Sequence, residues 1–262
     1  MTDLLEYGRT GQRLPIPDII DMHGHLGRFA YAVPHLDPLR VVAAMDRTGV
    51  RSTVCSHIEC CLGADPARGN DEVLAAMRAF PGRILGYIGI WPWGEEQVRA
   101  EVERCLEAGF VGIKLANYQG FAYTHASYLP AYEVAAERRL PVLFHTWGGA
   151  QDFAQIAEIA ERYPEASFLL AHAGSANEGE YIRMAREHPN VFLDTALSFS
   201  PRGCVERLVA GAGVEKVVWG SDVYCFSQTQ QIGKVLGAKI PDKAKSQILS
   251  GNARRLLERR QD

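Results

Sequence analysis

Short apolar, β-branched segments alternate with longer amphipathic ones along the 262 residues of the chain. The short segments predict strands over 19–25, 51–57, 84–91, 109–115, 141–146, 167–172, 191–195 and 216–222. Their repeat of roughly 25–35 residues is that of a βα unit. Between them, apolar residues recur at the helical period over 38–48, 70–80, 95–108, 128–139, 150–162, 177–187, 202–212 and 228–236. The first of these helices has Asp37 as an N-cap, Pro38 at its first position and Gly49 as its stop. Two further helices, 242–249 and 253–260, are divided at Gly251, and residues 1–17 read as an extended lead-in.

Strands alternating with helices imply parallel pairing and right-handed crossovers. Eight such units predict an α/β fold, a single (β/α)8 TIM-type barrel, as one domain over 1–262 with 241–262 as C-terminal helices. An open doubly wound sheet is the alternative. It would carry a glycine-rich phosphate turn after its first strand, where this chain has His23-Gly24-His25.

Composition adds exclusions. Hydrophobic residues at 47% and charged residues at 23% are those of an ordinary globular protein. A formal net charge of -3 without a long run of one sign argues against a nucleic-acid partner. The six cysteines form no CxxC pair, which fits a reducing compartment. The polar N-terminus and the lack of a long apolar run give no sign of a secretory signal or a membrane span, so the expected location is the cytoplasm.

Polar residues fall where apolar strands end. The first strand reads Ile19-Ile20-Asp21-Met22-His23-Gly24-His25, and period two would put Asp21, His23 and His25 on one face. The fifth strand ends at His145, the sixth at His172 and the eighth at Asp222. In a barrel these C-terminal ends meet at one rim, where barrel enzymes place their chemistry. Imidazoles and a carboxylate are ordinary ligands of zinc and similar ions. The candidate ligands of a divalent ion, zinc first and manganese second, are therefore His23, His25, His145, His172 and Asp222. Gly24 would leave room beside it. A single histidine after a strand more often makes a structural hydrogen bond, so the joint pattern carries the reading, above all the His-x-His pair.

The segments IIDMHGHLG, GFVGIKLAN, LPVLFHTW, FLLAHAGS, VVWGSDVY and ILSGNARRLL span almost the whole chain. Through them the chain resembles the amidohydrolase superfamily, in its amidohydrolase-2 branch, related to aminocarboxymuconate-semialdehyde decarboxylase. The resemblance implies a distorted barrel with His23 and His25 as first-strand ligands, His145 from strand five and Asp222 from strand eight. It implies an acid/base or substrate-polarising role for His172 and a proton-accepting role for Asp222. Lys114 ends strand four, where two-metal relatives carry a carboxylated lysine that bridges the ions. There His145 and His172 would bind the second ion. Otherwise Lys114 makes a rim salt bridge or binds a substrate carboxylate, and one metal is the expectation.

Other rim residues have two readings each. His57 would contact substrate or cap a strand; Arg28 would bind a substrate anion or pair at the surface. Trp91, Trp93, Tyr118, Trp147 and Tyr224 would wall a pocket or pack loops. Glu59 and Asp194 would orient ligand imidazoles. Cys60, Cys61 and Cys225 offer sulfur ligands or small apolar side chains. The leading functional expectation is hydrolysis of an ester, lactone or amide of a small organic molecule by metal-activated water, with Asp222 passing on the proton. The alternative is a lyase, a decarboxylase or hydratase of an aromatic or unsaturated acid, with His172 protonating carbon. A non-catalytic metal-binding barrel comes third. The expected partner is a small-molecule substrate, and a homo-oligomer is open.

Overall fold

The computed structural model describes residues 3–28, 37–62, 65–118, 120–223 and 225–260. Eight parallel strands follow chain order: β1 Ile19–Leu26, β2 Val50–His57, β3 Ile84–Gly89, β4 Gly112–Leu115, β5 Pro141–Phe144, β6 Ser167–Leu170, β7 Val191–Asp194 and β8 Val217–Val218. The cylinder closes because β1 bonds the chain beyond β8. Met22 N–H donates to Trp219 O (3.1 Å), Asp222 N–H to His23 O (2.7 Å) and His25 N–H to Val223 O (2.9 Å). The molecule is the expected (β/α)8 barrel, and β8 is shorter than expected, the bonds of Trp219 and Asp222 to β1 lying beyond its regular part.

Each strand has two faces. Outward residues such as Ile19, Ile113, Phe144, Phe168 and Leu193 pack under the helices. Inward residues form a second cluster: Ile20, Met22, Val54, Tyr87, Leu143, Leu169, Phe192 and Val218. Ala253 and Leu256 of helix Asn252–Glu258 join this interior cluster.

Helix ends follow local chemistry. Asp37 accepts from Arg40 N–H at 2.9 Å, Pro38 opens helix Pro38–Thr48, and Gly49 closes it at φ 76°. Two expectations need correction. The lead-in is not wholly extended: Leu4–Thr10 is a helix, capped by Asp3 accepting from Glu6 N–H (2.8 Å) and ended by Gly11 at φ 69°. Nor does Gly251 divide the C-terminal helices. It keeps helical dihedrals (φ -58°, ψ -42°), and a π turn over Gln247–Gly251 joins Asp242–Ser246 to Asn252–Glu258. Asn252 anchors this segment by donating to Val214 O and Val217 O, both at 2.7 Å.

Among the described residues no helix is long and apolar enough to cross a membrane. Asn252→Ala would strand the buried Val217 carbonyl and the half-buried Val214 carbonyl, so it is expected to lower unfolding free energy by about 1–3 kcal/mol in a urea titration. An unchanged midpoint would show that Asn252 does not anchor the barrel floor.

Candidate metal centre at the barrel mouth

The histidine pair reaches the barrel interior through a phase change. Ile20 and Met22 point inward, so strict alternation would send His23 outward. Instead β1 carries one extra residue: Asp21 pairs with Thr53 and Gly24 with Cys55. Past this bulge His23 and His25 face the interior. Asp21 does not share their face, contrary to the period-two expectation. It accepts from Ser221 N–H (2.8 Å), Ser221 Oγ–H (2.5 Å) and Gln228 Nε2 (2.9 Å). Burial pushes its carboxyl up to about 7. Gly24 also faces away from the pair: a Cβ there would meet Thr53 Cγ2 at 2.6 Å and Cys55 Sγ at 3.1 Å. It makes room for β2, not for an ion.

His172 and Asp222 reach the mouth by another device. Both lie in the left-handed region, at φ 60° and 53°. Non-glycine residues seldom adopt it, and such strain clusters at functional sites.

His23 Nε2 and His25 Nε2 lie 3.6 and 3.2 Å from Asp222 Oδ1. Ligand atoms of these three buried residues fall within 4.8 Å of one another. Each imidazole is held from behind. His23 Nδ1 donates to Asp194 Oδ2 at 2.7 Å, and His25 Nδ1 bonds Ser56 Oγ at 2.9 Å. The Asp194 carboxylate fixes the His23 tautomer and leaves its Nε2 as the ligand atom, while Ser56 Oγ, which can donate or accept, orients the His25 ring. Asp194 therefore does what was expected of it. Ser56, which sequence reasoning missed, stands where Glu59 was considered; its one signal is its place beside His57 at the end of β2. Glu59 lies in the short helix Ile58–Leu62.

His145 and His172 form a second pair. A carbonyl only accepts, so His172 Nδ1 carries the proton it gives to Ala196 O at 2.7 Å. In the neutral ring Nε2 is then an acceptor, matched by His145 Nδ1–H at 3.2 Å. That leaves His145 Nε2 as a bare lone pair, buried and without a hydrogen-bond partner among the described residues. His145 is not one of the three clustered residues, although it faces the same interior.

Burial holds all four imidazoles below the usual histidine range. For His23 the Lys114 ammonium adds to this, and for His145 the His172 ring does. Burial would raise Asp222, but His23 and His25 beside it outweigh that and hold it below the usual carboxylate range. Neutral imidazoles with aligned lone pairs, a carboxylate, and an orphaned buried nitrogen fit a divalent cation. Lys114 is also inside, 2% exposed, with Nζ 3.2 Å from His23 Nε2.

The aromatic residues shape the approach. Trp147 lies flat on His172, with ring centroids 4.5 Å apart and planes 11° apart. Tyr118 covers His145 at 4.4 Å. Both are about half exposed, as is Trp93. Trp91 meets Phe121, a residue the sequence reading did not select, edge to face at 5.5 Å. His57 does not face the cluster: its Nε2 bonds Glu72 Oε2 at 3.0 Å, and its ring fills the space beside Gly27. Arg28 and Cys225 are exposed. Tyr224 and the side chains of Cys60 and Cys61 lie outside the described residues.

Residues 20–259 match the family model described as amidohydrolase. Solved structures with a similar fold include 5-carboxyvanillate decarboxylase from Novosphingobium aromaticivorans, in complex with manganese and 4-hydroxy-3-methoxy-5-nitrobenzoic acid. Its TM-score is 0.76 at 15% identity, covering 92% of this chain and 96% of that one. Dihydroxybenzoic acid decarboxylase from Polaromonas sp. JS666, with bound manganese and 2-nitroresorcinol, gives 0.74 at 17% identity over 92% and 97%. 4-Oxalomesaconate hydratase from Rhodopseudomonas palustris gives 0.71 at 20% identity over 92% and 96%. At these identities the likeness is one of fold. No curated protein sequence matches the chain.

Gly220 faces the same interior: a Cβ there would lie 2.2 Å from Asp194 Oδ1 and 2.6 Å from His23 Cβ. Gly220→Ala is expected to displace the carboxylate behind His23 and weaken Mn2+ or Zn2+ binding roughly 10–100-fold by calorimetry. Unchanged affinity in the folded variant would show that the Asp194–His23 bond does not support an ion.

Proposed function

Because the chain belongs to the amidohydrolase family, we propose that it is a metal-dependent lyase that decarboxylates or hydrates a small planar carboxylic acid, aromatic or unsaturated. The observation that carries this reading is Lys114, a cation buried beside the His23–His25–Asp222 cluster. An ammonium placed there suits a substrate that brings a carboxylate to the mouth, as the lyase reactions do; an uncharged ester or lactone, the leading expectation from sequence, brings none. Two decarboxylases and a hydratase among the structures of similar fold support the same choice.

His23, His25 and Asp222 would hold the ion, with His145 Nε2 as the fourth donor. Bound there, a divalent cation would supply Lewis acidity toward the substrate's oxygen atoms. Lys114 binds and orients the carboxylate. The faces of Trp147, stacked on His172, and of Tyr118, tilted by 37° over His145, receive the substrate plane. The Ala196 carbonyl ties up His172 Nδ1, so His172 exchanges protons with substrate through Nε2. In a decarboxylation the bond from carbon to carboxylate breaks and its electron pair stays on carbon. His172 Nε2, an acceptor in the resting ring, first takes up a proton from solvent and then gives it to that carbon in place of the departing carbon dioxide.

Lys114 and the ion compete for one lone pair on His23. A single-ion site therefore predicts that Lys114→Ala keeps its metal while losing turnover of carboxylates. A fall in metal content by about half would instead assign Lys114 to bridging two ions. His23→Ala should lose most bound metal; full retention by elemental analysis would remove it from the ligand set. The proposed reaction is tested on Mn2+- or Zn2+-loaded protein with aromatic and unsaturated acids beside lactones and esters. Carbon dioxide release or hydration is expected, and turnover confined to lactones or esters would overturn the lyase reading.

A further inference from the structure

The loop after β7 supplies the outer support of both histidine pairs. Ala196 O accepts from His172 Nδ1 at 2.7 Å, and Ala196 N–H donates to Asp194 Oδ1 at 3.1 Å. The other carboxylate oxygen, Asp194 Oδ2, accepts from His23 Nδ1. The position of one short backbone segment therefore decides where both rings sit.

That segment is gripped from outside the barrel by helix Gln228–Gly237. The buried Gln231 amide pairs with Leu197 on both sides: Leu197 N–H donates to Oε1 (3.3 Å), and Nε2 donates to Leu197 O (3.1 Å). One turn on, Lys234 Nζ donates to Thr195 O (2.8 Å) and Leu197 O (3.0 Å). Three successive carbonyls thus face alternately, 195 and 197 toward the helix and 196 toward His172. In extended backbone this alternation is obligatory. Pinning the outer two carbonyls leaves the middle one pointing into the mouth.

Lys234 makes no ion pair within 4.0 Å among the described residues, and burial lowers its ammonium to about 8 although Asp194 and Cys204 favour the charge. Taking an ammonium out of water to bind two carbonyls is costly. A role in holding those carbonyls accounts for it.

We propose that Lys234 and Gln231 are positioning residues that set the tautomer of His172 and the placement of Asp194 by clamping residues 195–197. The inference rests on the reading that the rim is the reaction site, but its test does not need turnover. In 15N-histidine-labelled protein, long-range imidazole 15N–1H spectra report which ring nitrogen bears the proton. Wild type is expected to show His172 as one tautomer, protonated on Nδ1. In Lys234→Met and Gln231→Leu a second population protonated on Nε2 is expected, with Lys234→Arg restoring the single form. Gln231→Glu keeps the acceptor for Leu197 N–H but sets a carboxylate oxygen against Leu197 O in place of the donor, so it should shift the tautomer in the same direction even if the bolder variants do not fold. Mn2+ affinity in these variants should fall by less than the roughly 10–100-fold expected for loss of a directly bonded outer partner. A pure, unchanged Nδ1–H form of His172 in folded variants would overturn the clamp. Failure of wild type to bind Mn2+ would sink the proposed function while leaving this tautomer result intact.

Discussion

Two imidazole lone pairs and a carboxylate oxygen face one another in a space that water hardly reaches. With both rings protonated on Nδ1, as metal binding requires, His23 Nε2, His25 Nε2 and Asp222 Oδ1 bring only electron-rich atoms together. Protonating the rings is disfavoured, because burial holds both below the usual histidine range. Positive charge has to come from elsewhere. Lys114 provides part of it at 3.2 Å from His23 Nε2. A divalent cation satisfies all three donors at once, and the surrounding network is arranged so that their lone pairs remain available.

The fold builds this arrangement with few residues to spare. The strand that carries the histidines also closes the cylinder, so Met22, His23 and His25 bond Trp219, Asp222 and Val223 through their backbones. Asp222 is thereby fixed to the segment it faces. Asp21 ties the same seam by holding both the amide and the hydroxyl of Ser221. Gly220 leaves just enough space for Asp194 behind His23. Barrel closure and site assembly are therefore one set of interactions, and disturbing either should disturb both.

Much of this was legible in the sequence, and the failures have physical causes. Strand order, the capped helix Pro38–Thr48 and the polar strand ends follow from local periodicity and capping, which act within a few residues. The histidine pair was recognisable, but its face was not. Its bulge depends on pairing with Thr53 and Cys55 some thirty residues away, and the same shift separates Asp21 from the pair. The left-handed turns at His172 and Asp222 have only a weak signal: Asp and His enter that region more often than most side chains, but most of them do not. The N-terminal helix did have one, Asp3 and Gly11, which the extended reading passed over. Propensity alone makes Gly251 a helix breaker, yet the Asn252 bonds beside it keep the chain helical. His57 stands at a strand end like the others, but β2 turns it outward to Glu72.

Anomalous diffraction from crystals soaked in Mn2+ tests the central claim most directly. The account predicts a strong peak within coordination distance of His23 Nε2, His25 Nε2 and an Asp222 carboxylate oxygen, with the Asp194 and Ser56 bonds kept. A mouth with no peak, or a peak held by other side chains while these three still face one another, would contradict it.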